Sequence, residues 1–285
     1  MLSVGTRIAI LANLDETPLD PYRHGLDDAL GFLEPIVRAS IPLVFFSTRT
    51  RAELEAIHQE LGIRHPFVAE HGGALYVPQR YFGVRVGRGS DVAGYETLTF
   101  GRPHDQILAT LTATARRLHV PITTMSELSV RDVATAYGAT FLQARLAKLR
   151  DHGELFRVEG GAGTPSLVQA LRAAKLRCRP AGPFIHVSAN VDTAGIVEIL
   201  QDCYRRSFDI RVFVGIGHPQ EDKVILRNVE VPLVWSHRFL SEPHEEGARI
   251  QVETVDAHAD GLLELIEGLA TTFERSRLSP PERSR

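Results

Sequence analysis

Apolar residues along the chain fall into two patterns that alternate. Short continuous runs, Arg7 to Ala12, 41–46 (IPLVFF) and 211–216 (RVFVGI), have the length and unbroken hydrophobicity of strands covered on both faces. Between them, apolar residues recur at helical spacing. Leu26, Ala29, Leu30, Leu33 and Val37 predict a helix over 25–39, in which Pro35 should cause a kink or an early end. Thr50 and Glu53 form a capping-box pattern opening a helix to Leu61, with Leu54 and Ile57 on its apolar face. Ile196, Val197, Leu200 and Tyr204 mark another over 193–206, and Leu262, Ile266, Leu269 and Phe273 a last one. With short strands at Phe67–Ala69, Ala74–Val77 and Val231–Trp235, the order is that of a doubly wound α/β sheet, mostly parallel.

The middle of the chain follows different rules. Pro78 to Gly94 is rich in Gly and Arg and reads as a crossover, followed by a half-buried strand from Tyr95 to Phe100. Ile107, Leu108, Leu111, Ala115 and Leu118 line one helix face, and 129–149 holds one or two further helices. Strands are expected at Glu154–Val158 and Phe184–Val187, with Thr164 as N-cap and Pro165 opening a helix between them. The glycine-rich 160–164 lacks a phosphate loop's lysine and reads as a linker. The expected division is a core domain of 1–84 and 186–285 with an inserted α+β cap lobe of 85–185, ending in a frayed tail at 279–285.

Composition narrows the class. A chain of 285 residues, 44% of them hydrophobic, can bury one large core or two medium ones. A net charge of −3 offers nothing to nucleic acid or an anionic membrane, and no apolar run reaches the ~20 residues of a membrane span. Two cysteines, Cys178 and Cys203, and no signal-peptide pattern give the expectation of a cytoplasmic protein.

The chemistry is concentrated just past the first strand, where Asn13, Asp15 and Thr17 stand at alternate positions of a loop. In open α/β sheets ligands bind at that end of the strands. The stretch Asn13-Leu14-Asp15-Glu16-Thr17 resembles the D-x-D-G-T motif of the haloacid dehalogenase superfamily of phosphatases, with asparagine at the first aspartate. VFFSTRTRAEL (44–54) is similar to the superfamily's second motif. PFVAEHGGALYVP (66–78) is similar to the E-N-G-G-x-x-Y segment of its mannosyl-3-phosphoglycerate phosphatase branch. AKLRDHGELF (147–156) is similar to that branch's cap segment, while GPFIHVSANVDTAGIVEIL (182–200) and FVGIGHPQED (213–222) stand in place of the third and fourth motifs.

The resemblance implies a role for each position. Asn13 occupies the place of the nucleophilic aspartate, Asp15 that of the general acid and base, and Thr193 that of the lysine steadying the transferred group. His218 and Asp222 occupy the two fourth-motif places that hold Mg²⁺. Thr17, Ser47, Arg49 and Arg150 fall where phosphate or substrate contacts are expected. An amide is a poor nucleophile, and imidazole is a poor ligand for a hard cation. Three replacements in one site therefore read as a dismantled phosphatase centre without a magnesium requirement.

Each position also has a plainer reading: Asp15 and Thr17 as turn formers, Ser47 as a strand-end hydroxyl, Arg49 as a solvated side chain and His218 as an inert loop residue. Asp222 then serves as a helix N-terminal carboxylate. His71, His152 and His186 are either contacts facing the cap or inert. The reading that follows is a protein binding a phosphorylated or acidic sugar-like metabolite, or regulating a partner enzyme. The alternatives are an active sugar-phosphate hydrolase working through Asp15 or another metal, and a structural partner with a vestigial cleft.

Overall fold

The first strand, Ile8–Asn13, is buried at every position, and its two sides feed two separate cores. Ile8, Ile10 and Ala12 pack with Ala29, Leu33, Leu54 and Ile57, whereas Ala9 and Leu11 pack with Ile196, Val197, Leu200 and Tyr204. This computed structural model describes residues 7–235 apart from 16 and 18, together with 240–241, 263–264, 266–268 and 271.

In chain order the elements are β1 (Ile8–Asn13), α1 (Pro21–His24), α2 (Leu26–Arg38), β2 (Leu43–Phe46), α3 (Arg51–Glu60), β3 (Phe67–Ala69), β4 (Ala74–Pro78), β5 (Ser90–Val92) and β6 (Tyr95–Thr99). The chain then forms α4 (His104–Arg117), β7 (Ile122–Thr124), α5 (Val130–Tyr137), α6 (Phe141–Ala147), β8 (Gly153–Val158), α7 (Thr164–Ala173), β9 (Leu176–Ala181) and β10 (Phe184–Ala189). It returns through α8 (Thr193–Phe208), β11 (Val212–Gly217), α9 (Lys223–Arg227), β12 (Val231–Trp235) and β13 (Leu240–Ser241).

The core sheet runs β13-β12-β11-β1-β2-β3-β4-β6-β5. β12, β11, β1, β2 and β3 are mutually parallel, and the strands at either end are antiparallel. Helices on both faces are what force the parallel strands to be apolar throughout. The cap is a second sheet, β7-β8-β10-β9, antiparallel throughout. One face carries Phe156 and Val187 against Ile107 and Leu111 of α4 and Leu167 and Leu171 of α7. The other carries Leu155 and Phe184 against Val133 and Ala134 of α5 and Ala144 of α6. No helix among the described residues is long and apolar enough to cross a membrane.

Four expectations need correction. β5 and β6 extend the core sheet through an antiparallel pairing with β4, so the sheet reaches Thr99 and the cap begins at about His104, not at 85. On the return, β10 stays in the cap sheet to Ala189, past the expected boundary at 186. Pro35 neither ends α2 nor stops its last turn, since Ala39 N–H still reaches the Pro35 carbonyl. In α7 the N-cap is Gly163, at φ +84°, and Thr164 is already helical. Of the last expected helix, 263–264, 266–268 and 271 are helical, with Ile266 in the first core. Leu262, Leu269, Phe273 and the tail 279–285 lie outside the described residues.

The loop after β3 sets the cap on the core. The Glu70 carboxylate accepts from the backbone N–H of Asp151 at 2.8 Å and of His152 at 3.1 Å. The Gly73 carbonyl accepts from the N–H groups of Phe100 and Gly101 on the outgoing crossover. A Cβ on Gly73 would meet His152 Cβ at 2.4 Å, so the second glycine of E-H-G-G leaves room for the cap segment to pass. A further contact is Thr50 Oγ1, which donates to the Leu146 carbonyl of α6 at 3.0 Å.

Candidate active site

The loops after β1, β2 and β11 end at the same edge of the core sheet, beneath the cap. Because these strands are parallel neighbours, their C-terminal ends must converge there. A cleft of about 800 Å³ lies between this edge and the α5–α6 side of the cap, lined by Asn13, Asp15, Thr17, Arg49, Arg150 and His218 among others. Beside it a small pocket of about 40 Å³ brings Asn13, Asp15, Ser47, Thr193 and Asp222 together with Arg177 and Arg179 of β9. Asn13, Asp15, His71 and Glu221 border both spaces.

Asn13 sits at the centre of a closed network. Its Nδ2 donates to Asp222 Oδ2 at 2.7 Å, and its Oδ1 accepts the Asp15 N–H at 2.9 Å. These two bonds fix which way the amide faces, because only nitrogen can donate to the carboxylate. Asp222 Oδ2 also accepts the His218 N–H at 2.7 Å. Burial pushes the Asp222 carboxyl above its ordinary range, opposed by those two donors.

Both oxygens of Asp15 are occupied as well. Ser47 Oγ donates to Oδ1 at 2.6 Å and the Thr48 N–H to Oδ2 at 2.5 Å. Burial raises this carboxyl too, against the pull of Arg49 and the Ser47 and Thr48 donors. Ser47 Oγ in turn accepts the Arg49 N–H at 3.0 Å.

Several expected contacts are committed elsewhere. The Thr17 hydroxyl closes its own turn on the Leu14 carbonyl at 2.9 Å. Arg49 is only 20% exposed, and its Nη2 straddles the carboxylate of Asp20 at 2.7 and 2.9 Å, so it is not a solvated side chain. Nη1 lies 3.4 Å from Glu53 and Nε 3.9 Å from Asp15, with the guanidinium over the Tyr22 ring. Burial works against its charge, but Asp20, Glu53 and Asp15 outweigh it and hold Arg49 ionised. Arg150 Nη1 faces the Thr48 carbonyl at 3.2 Å, Glu70 at 3.5 Å and His186 Nε2 at 3.3 Å. His218 is exposed, and its Nδ1 accepts from the Gln220 N–H at 3.3 Å. Asp222 precedes α9 without capping it, because its side chain turns to Asn13 instead.

Two histidines, His71 and His186, are neutral. Burial drives His71 and His186 well below their ordinary pKa, reinforced by nearby arginines, and their rings lie 4.9 Å apart. Buried His152 packs against Gly73 in the cap–core joint. Asp20, Tyr22, Glu53, Arg177 and Arg179 were not among the sequence-derived candidates.

No family model matches the chain. A glucosyl-3-phosphoglycerate/mannosyl-3-phosphoglycerate phosphatase of Methanococcoides burtonii is 30% identical over 226 residues, 79% of this chain and 83% of that one. The chain belongs to the mannosyl-3-phosphoglycerate phosphatase-like branch of the haloacid dehalogenase superfamily. A protein of the same description from Persephonella marina is 27% identical over 232 residues, covering 81% and 85% of the two chains. Among solved structures, a haloacid dehalogenase-like hydrolase from Bacteroides thetaiotaomicron shares the fold. It has a TM-score of 0.56 at 16% identity over 93% of this chain and 99% of that one.

Phosphatases of this superfamily ordinarily hold Mg²⁺ between the nucleophile and the fourth motif. A hard divalent cation needs several converging oxygens. Here Asn13 presents nitrogen to Asp222, its oxygen is taken by Asp15 N–H, and the His218 imidazole stands outside. Among the described residues, no three acidic, histidine or cysteine side chains cluster as a metal would require. The donor set does not fit the ion.

Proposed function

We propose that this member of the sugar phosphatase family has lost phosphoryl transfer and retains its cleft for binding a phosphorylated or acidic metabolite. The observation that carries this reading is the 2.7 Å hydrogen bond from Asn13 Nδ2 to Asp222 Oδ2. On this reading a neutral amide stands where an in-line displacement needs an anion, and the bond ties that amide to the carboxylate that would otherwise serve a cation. Asp15 is a weak substitute nucleophile, because both of its oxygens already accept hydrogen bonds. The open cleft of about 800 Å³ favours ligand binding over a purely structural role, being within the ordinary size of small-molecule sites.

The test is a Mg²⁺-dependent phosphatase assay on purified protein, with an aryl phosphate and with mannosyl-3-phosphoglycerate, the latter taken from the description of the relatives. Turnover should fall at least ~10³-fold below a competent relative, equivalent to roughly 4 kcal/mol of transition-state stabilisation. Vigorous Mg²⁺-dependent turnover that disappears in Asp15→Asn would overturn this reading and establish an active hydrolase.

A further inference from the structure

Four side chains stand in a row across the joint between cap and core. Arg179 of β9 donates from Nη1 to Nδ1 of His71, on the core loop after β3, at 3.2 Å. The His71 ring lies 4.9 Å from that of His186 on β10, centre to centre. Arg150, just after α6, meets His186 Nε2 with its Nη1 at 3.3 Å. The same Arg150 nitrogen reaches the core at the Thr48 carbonyl and at Glu70. The row therefore fastens cap to core twice, through Arg179 on His71 and through Arg150.

A guanidinium only donates, so the ring nitrogen facing it must accept. His71 consequently carries its proton on Nε2 and His186 on Nδ1. Both of those nitrogens are buried without a partner among the described residues. The four ring nitrogens thus meet two cations and no anion. There is little room to adjust. His186 is 1% exposed, and a Cβ on Gly153 would lie 2.4 Å from its Nε2, so backbone closes over that atom. A second proton on either ring removes the acceptor an arginine uses and sets one cation against another.

The surrounding charges reinforce this. Arg179, Arg177 and Arg150 act on His71, while His71, Arg150 and Arg179 act on His186. Burial first, and then these groups, hold both rings well below their ordinary value of 6.5. The carboxylates in the neighbourhood are engaged or exposed. Glu70 holds the N–H groups of Asp151 and His152 and faces Arg150. Asp15 and Asp222, which line the small pocket with His71, each accept two hydrogen bonds, and Glu221 is exposed.

We infer that the His71–His186 pair is an acid-sensitive clasp, which holds the cap to the core while both rings are neutral and lets the cap lift when they take up protons. The clasp does not depend on what the cleft binds, so its failure would leave the proposed function untouched. Protons drive opening because the open state binds them and the closed state refuses them. A base whose proton affinity is lowered by closure contributes fully above its ordinary 6.5, and that contribution is lost as pH falls below it. Each ring can raise the open population up to about tenfold per pH unit in that range, and the pair up to about a hundredfold.

The experiment is amide hydrogen exchange of the whole protein at pH 7.5 and pH 5, about one unit above and about 1.5 units below the ordinary histidine value. Rates are divided by those of an unstructured chain at the same pH to give protection. The N–H groups of Asp151 and His152 report on the joint, because Glu70 of the core holds both. The amides of β1 report on the core sheet, which separates the clasp from acid effects at His58 and His65 of the core domain. At pH 7.5 the joint amides should be slow. At pH 5 their protection should fall by about tenfold or more, while β1 stays protected. In the double change His71→Gln, His186→Gln the side-chain oxygens still accept from arginine and do not titrate, so most of that fall should disappear. If the double change does not fold, each single change should remove part of the fall. Unchanged protection of the wild-type joint at pH 5 overturns the inference. A fall of the same size in the folded variants also overturns it and assigns the effect to Glu70 or another group. Equal loss at β1 and the joint overturns it as well, because acid then unfolds the whole protein and not the joint.

Discussion

Asn13 Nδ2 stands 2.7 Å from Asp222 Oδ2, and this contact joins the end of β1 to the loop after β11. An amide hydrogen thus holds together the end of β1 and the loop after β11, where the proposed assignment expects a shared cation in a magnesium-dependent relative. Asn13→Asp removes the donor and sets a second carboxylate against the first. The buried acceptor left behind costs roughly 1–3 kcal/mol. Chemical denaturation should register that loss at neutral pH, and Asp222→Asn introduced into the Asn13→Asp variant should recover part of it.

Catalysis should not follow from that change alone. On the proposed assignment Asn13→Asp still lacks the third-motif lysine and the first fourth-motif aspartate, so its phosphatase activity should match the background expected of the wild type. The triple variant Asn13→Asp, Thr193→Lys, His218→Asp should gain Mg²⁺-dependent turnover that none of the single changes shows. A Mg²⁺ titration of the wild type should show no micromolar site, and such a site at this loop would contradict the assignment of Asn13 and His218.

Arg49 is the shared cation of three carboxylates at the floor of the cleft, Asp15, Asp20 and Glu53. Removing one partner of a largely buried ion pair typically costs about 3–5 kcal/mol, because the opposite charge stays behind. Arg49→Gln should therefore lower the unfolding free energy by roughly 3 kcal/mol, the low end, since its side chain keeps some contact with water. Asp20→Asn in the same background should be much less damaging than Asp20→Asn alone, and a double-mutant cycle measures that coupling.

The close approach at Gly73 gives a packing test. Gly73→Ala drives a methyl into His152 Cβ, and overpacking of this kind typically costs about 1–3 kcal/mol. His152→Gly removes the obstructing atom and should restore much of the melting temperature lost by Gly73→Ala, beyond its own effect.

A pH dependence is expected from the cap. His104 Nε2 lies 2.9 Å from Glu154 Oε2, and this hydrogen bond raises the imidazole above its ordinary value of 6.5. Burial opposes ionisation of Glu154, but its bonds to His104 and Ser126 prevail and hold it below its ordinary 4.5. The histidine's contribution is complete below 6.5 and fades as pH rises through its folded value, because the folded state then loses its extra proton affinity. The glutamate's contribution is present above 4.5 and fades as pH falls through its lowered value. The stability gap between wild type and His104→Gln should therefore be widest between 4.5 and 6.5 and narrow above that range. Thermal melts at pH 5.5 and pH 9 compare the two regimes, the second chosen about 2.5 units above the ordinary histidine pKa.

Where burial on both faces dictates composition, the sequence is legible. β1, β2 and β11 are continuous apolar runs because helices cover them twice, and the strand ends then place Asn13, Ser47 and Asp222 at one edge. β9 was illegible for the opposite reason. It is an edge strand of the cap, so Arg177, Arg179 and Pro180 interrupt it at little cost and hide its character. β5 is exposed at all three positions and gave no apolar signal. The commitment of Arg49 was hidden because its closest partner, Asp20, comes from 29 residues earlier and reaches it only through the packing of α1 beside the loop. Spacing locates a loop residue along the chain, but its partner depends on which neighbour arrives from elsewhere.

The four-residue loop 70–73 has a consequence for how anything enters the cleft. Glu70 grips the cap at Asp151 and His152, Gly73 grips the crossover at Phe100 and Gly101, and the His71 ring lies against that of His186. One short piece of core thus serves as axle for the cap. Its grips lie close together along the chain, so rotation of the cap about them need break only the contacts outside the loop, Thr50 to Leu146 and Arg150 to Thr48, whereas sliding it away must break the loop's grips as well. Access to the cleft should accordingly resemble a door turning on a pin more than two jaws separating. Amide hydrogen exchange at Asp151 and His152 should stay slow while the exposed ends of α5 and α6 exchange freely.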